Sequence, residues 1–148
     1  MLSVRGSSVR HRELVVYAAL ALGGCGSAGA AAKDELVAHR WALSTQDCAD
    51  DYVQISDRSF VVHHPGATET SMPVLRLVSA QDYPKNVMVV VGPPGATPAS
   101  VQEADRVAFV FEVADGRMRL VAGGSPSNLQ RMAADNPNVV RLNRLACT

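Results

Sequence analysis

The chain has 148 residues, 14 of them basic and 14 acidic, so its formal net charge is zero. That length suits one domain with a core of its own. Neutral charge and only 5% aromatic residues exclude a basic, base-stacking surface, so nucleic acid is not an expected partner.

The chain opens with Arg5, Arg10 and Arg12 against a single acid, Glu13. Leu14 to Leu22 is an apolar run, and small residues follow it as far as Ala32. A basic start, a short apolar run and a small-residue exit are the layout of an export signal, here over residues 1 to 24. The run is too short to cross a bilayer as a helix, and no later run reaches that length.

Leu22-Gly23-Gly24-Cys25 resembles the lipobox of bacterial lipoproteins, with Leu22, Gly24 and Cys25 in the matching places. The resemblance implies that Cys25 is lipidated, becomes the first mature residue and ties the chain to a membrane. One acyl chain gives marginal binding, so the several chains this family carries imply a firm anchor. Gly26 stands where an Asp would favour the inner membrane, which implies the periplasmic face of the outer membrane; an unanchored chain would be periplasmic. Two other readings stand beside this one. One is ordinary signal cleavage after Ala30 or Ala32, at Ala-x-Ala sites. The other is a buried helix of the folded domain.

Removing residues 1 to 24 takes away three Arg and one Glu and leaves a net charge of −2. The three cysteines are Cys25, Cys48 and Cys147. An odd count in an exported chain needs an explanation, and lipidation of Cys25 supplies one by leaving an even pair. Cys48 and Cys147 are then expected to bond in an oxidising compartment, joining the two ends of the domain. Such a bridge contributes about 4–5 kcal/mol in the chain-entropy model. Two separate buried thiols are the alternative. No Cys-x-x-Cys spacing exists, so no metal site is expected there.

Residues 25 to 36 read as a flexible tether, which leaves 37 to 148 as a single β-rich domain. Arg40 to Leu43 alternates polar and apolar, as in a strand burying Trp41 and Leu43 on one face; a helix over Leu36 to Leu43 competes with it. Gln46 to Asp51 is a polar turn. Tyr52 to Ile55 and Ser59 to His63, split by Ser56-Asp57-Arg58, predict a hairpin that ends at Pro65-Gly66. Residues 66 to 73 read as a loop. Val74 to Val78 and Val87 to Val91 are strands, the second buried on both faces. Three prolines make residues 92 to 100 a loop. Val107 to Val113 and Arg117 to Val121 flank Asp115-Gly116, the chain's clearest hairpin signal. Val107, Phe109, Phe111 and Val113 should share one face, and Met118 and Leu120 the facing one. Gly123-Gly124 breaks the pattern, and Ser125-Pro126 offers a helix start that carries Leu129, Met132 and Ala133 at helical spacing. Asn136-Pro137 stops that helix, and Val139 to Leu142 is a last strand. The fold class is therefore mainly β: a small antiparallel barrel or sandwich of about seven strands, preferably a partly open barrel, with one short C-terminal helix.

Motifs for chemistry are sparse. Residues 92 to 99 superficially resemble a phosphate-binding loop, but Thr97, Pro98 and Ala99 replace its closing Gly-Lys-Ser/Thr. His63 and His64 are neighbours on one strand, so their rings point to opposite faces and do not share a metal. The Gly-Gly-Ser-Pro turn lacks the closing Gly of a nucleophile elbow. No cofactor, metal or enzymatic activity is expected. The chain reads as a lipid-anchored envelope protein, a non-catalytic binding or structural module with an envelope protein as possible partner. The alternatives are a hydrolase inhibitor and a lipocalin-like carrier of a small apolar ligand. The inhibitor plan looks like bacterial inhibitors of lysozyme or of secreted proteases: Gly124-Ser125-Pro126-Ser127 is the stretch nearest to the lysozyme-inhibitor loop, and Arg40 to Ser44 is faintly like the opening of a periplasmic metalloprotease-inhibitor barrel. In that reading the rigid loop 92 to 100 makes the contact. A barrel of this size holds one small ligand or fills with its own side chains.

Overall fold

A computed structural model of the chain describes residues 28–79 and 85–148. Cys25 and the signal segment lie outside them. The described residues form helix α1 (Ala28–Ala38), strands β1 (Arg40–Ala42), β2 (Tyr52–Ile55), β3 (Ser59–His63), β4 (Thr70–Ser79), β5 (Asn86–Val91), β6 (Val107–Ala114), β7 (Arg117–Ser125) and β8 (Asn128–Arg131), helix α2 (Pro137–Leu142) and strand β9 (Arg144–Ala146).

The strands run in the order β6-β5-β4-β3-β2-β1-β9-β7-β8, and β6 also pairs with β7. Eight antiparallel strands therefore close on themselves, and β8 hangs on β7 as a ninth. The architecture is the barrel, closed rather than partly open. Closure leaves no free edge in the ring, which is how small β folds avoid pairing with other chains.

Two hairpins follow their sequence signals. Tyr52 pairs with His63 and Ile55 with Phe60 across β2 and β3. Asp115 (φ 55°) and Gly116 (φ 69°) take the two left-handed positions of the β6–β7 turn, the geometry that matches strand twist and that Asp-Gly favours. Phe111, Val113, Met118 and Leu120 are buried beneath it. Val107, at the rim, is 42% exposed. Inside the barrel, Phe60 lies 5.6 Å from Phe109 and 6.3 Å from Phe111 between ring centroids. Valines of β2, β5 and β6 at 53, 87, 89, 91 and 113 pack into the same cluster.

Five expectations need correction. Residues 28 to 36 are not tether but helix α1, packed against β4, β5 and β6. Ala32 and Leu36, one turn apart, are buried in the core cluster. The indole Nε1 of Trp41 donates to Leu36 O at 2.9 Å, satisfying a carbonyl left free at the helix end and the buried N–H together. Leu43 is 48% exposed, because β1 ends at Ala42. The loop after β3 is shorter than expected, since β4 begins at Thr70.

The last two corrections are a pair. Where a helix was expected after Gly124, β7 runs on to Ser125 and turns back into β8, pairing Ser125 with Asn128 and Ala122 with Arg131. The glycines permit close approach rather than breaking the strand: a Cβ on Gly124 would sit 2.5 Å from Asn128 O. Where a strand was expected at 139 to 142, α2 forms instead. Pro137 occupies its first position and Val140 N donates to Asn136 O. Asn136-Pro137 starts a helix here, as a cap residue followed by Pro does.

Helix α1 closes one end of the barrel. Glu35 Oε1 accepts from Gly116 N at 2.8 Å, and Ser79 Oγ donates to Gly29 O at 2.6 Å. Both contacts lie where β4 ends and β7 begins. If this plug is structural, Leu36→Ala lowers unfolding free energy by about 3 kcal/mol in urea denaturation. Val37→Ala, next to it but exposed, should change it by less than about 0.5 kcal/mol.

Candidate functional site

The opposite end of the barrel is open. A half-open cavity of about 770 Å³ is lined there by Leu43, Val53, Val62, Phe109, Leu120, Met132 and Leu142, with Asp51, His64, Arg141 and Arg144 as its polar members. Strand periodicity places most of them. Val53 pairs with Val62 across β2 and β3, so both side chains point inward. Asp51 and His64 lie two residues further along their chains, on the same face and at the strand ends. They meet there: His64 Nδ1 is 3.0 Å from Asp51 Oδ1. Phe109 and Leu120 come from β6 and β7, and Met132 is held by its N–H donating to Val121 O.

Arg144 is the buried charged residue among the described residues, its side chain 3% exposed. It starts β9, paired with Met118. Its Nη1 donates to Asp51 Oδ1 at 3.3 Å and to Asp51 O at 3.4 Å, and its Nε donates to Arg141 O at 3.0 Å. The guanidinium thus ties the chain before β2 to the last carbonyls of α2, where a cation also opposes the helix dipole. A buried charge persists only when paired and hydrogen-bonded, and Asp51 supplies the counter-charge. Sequence reasoning passed over both residues.

His63 takes the other face, as neighbours on a strand must. It stacks on Tyr52, ring centroids 5.0 Å apart, with the Arg40 guanidinium 4.4 Å from the Tyr52 centroid. Its Nδ1 lies 3.5 Å from Glu69 Oε2, a separation that suits an ion pair but makes no hydrogen bond. No cluster of three or more metal-binding side chains occurs among the described residues. Cys48 and Cys147 are disulfide-bonded, their Cα atoms 5.7 Å apart, and neither lines the mouth. The loop at 92 to 100 is exposed over most of its length but pinned, with Gly92 N donating to Pro73 O and Gly95 N to Ser71 O. Ser125 and Pro126 belong to the β7–β8 hairpin rather than to a helix start.

Comparison with protein-family models, curated proteins and solved structures finds no match to this chain. The site therefore rests on its own geometry. Asp51→Ala, which removes the partner of a buried cation, should cost about 2 kcal/mol of stability by chemical denaturation. His64→Ala should cost under about 1 kcal/mol, since its side chain is 51% exposed.

Proposed function

We propose that this protein is an exported, non-catalytic binding module, held at a membrane through Cys25, whose barrel mouth takes a small apolar ligand. The observation that carries the reading is the half-open mouth of about 770 Å³ floored by Val53, Val62, Phe109 and Leu120. That size and apolar lining, with few polar groups, is the usual make-up of a small-molecule site. An eight-stranded barrel is also just wide enough for one small ligand. The reading of the chain as an inhibitor has the pinned loop at 92 to 100 in its favour, but it leaves the mouth without a purpose.

The anchor draws support from α1. Cleavage before Cys25 would leave the helix whole. Cleavage after Ala30 or Ala32 would cut through it, and the second cut would strip buried Ala32 from the core. The disulfide suits an oxidising compartment such as the periplasm.

Two measurements test this. The neutral fluorophore N-phenylnaphthylamine should bind saturably to the purified protein. Val62→Trp, which fills the mouth, should weaken that binding by about tenfold or more while leaving the thermal midpoint within a few degrees. Absence of saturable binding to the unaltered protein overturns the ligand reading. The intact mass of protein from the membrane fraction should begin at Cys25 with acyl chains attached and rise by two hydrogens on reduction. An unacylated mass beginning at Ala31 or Lys33 overturns the anchor.

A further inference from the structure

The proposed ligand reading leaves the chemical class of the ligand open, and the charges at the mouth narrow it. We infer that the mouth selects a molecule with one anionic head and an apolar tail, the head meeting Arg141 and Arg144 and the tail lying on Phe109 and Val53. This inference rests on the binding reading above. Four polar side chains line the mouth: Asp51, His64, Arg141 and Arg144. With His64 counted as neutral, they carry two positive charges and one negative. Asp51 offsets one cation, Arg144, at 3.3 Å. Among the described residues Arg141, exposed at the end of α2, has no carboxylate within ion-pair distance, which leaves its charge to the mouth and solvent.

The surplus positive charge therefore sits on Arg141 at the exposed rim, and the paired Arg144 lies deeper, beside the apolar walls. A carboxylate placed between the two guanidinium groups would gain charge-assisted hydrogen bonds. A cationic head would meet two like charges with a single carboxylate, already bonded to Arg144 and His64, to oppose them. A neutral head gains only the apolar contacts.

The test is displacement of N-phenylnaphthylamine from the full mature protein by three molecules of equal tail length: decanoate, decanol and decyltrimethylammonium. Decanoate should bind tightest and decyltrimethylammonium weakest. Arg141→Gln should weaken decanoate about tenfold and change decanol less than twofold. Raising the salt concentration should weaken decanoate selectively. Arg141 is used because it is exposed, whereas replacing Arg144 would disturb β9 and α2. Equal affinities for decanoate and decanol, or an Arg141→Gln effect on both alike, overturn the anionic head while leaving the apolar site standing. Failure of all three to displace the fluorophore, or of the fluorophore to bind, overturns the site itself.

Discussion

The barrel closes through a strand of three residues, β9, which lies between β1 and β7. Trp41 pairs with Ala146 on one side of it, and Arg117 with Leu145 on the other. Cys147 N then donates to Arg40 O, and the disulfide to Cys48 holds the end in place. Three residues make few ladder bonds, so the seam depends on what flanks it. Arg144 at one end of β9 reaches Asp51 and α2, and Cys147 at the other end is covalently tied. Without β9, β1 and the first half of β7 would each present an unpaired edge. The same residue that helps close the barrel also lines its mouth, where Asp51 offsets its charge.

How far the sequence foretold this depends on how local each signal was. The Asp-Gly hairpin and the hairpin at 52 to 63 were legible because turn chemistry and period-two burial agree there. Helix α1 was not. Among the described positions of its stretch AGAAAKDELVA, Gly29, Ala32 and Leu36 are buried, too thin an apolar stripe to announce an amphipathic helix, and it is ordered by tertiary contacts with Trp41 and the β6–β7 turn. The exchange of helix and strand near the C-terminus has a similar cause. Leu129 and Met132 match a helical spacing, but Gly123 and Gly124 make room for a returning strand, and nothing local says which use wins. Asn136-Pro137 was read as a stop when it serves equally well as a start.

The mouth was partly legible in retrospect. Val53 and Val62 belong to the hairpin expected at 52 to 63, and once their pairing is known, stepping two residues towards the open end puts Asp51 and His64 on the same face. Burial of Arg144 was beyond reach, because an Arg beginning a short strand ordinarily turns to solvent. Its partner lies 93 residues away, and only closure of the ring brings them together. The disulfide was legible for a different reason: parity of cysteines in an exported chain is a constraint that needs no knowledge of the fold.

Because β9 is the last strand and pairs with the first, the ring joins the two ends of the sheet in sequence as well as in space. Order must therefore arrive late. Hairpins such as β2–β3 and β6–β7 join neighbouring stretches, but the seam between β1 and β9 joins residues far apart in the chain and costs more loop-closure entropy than either hairpin.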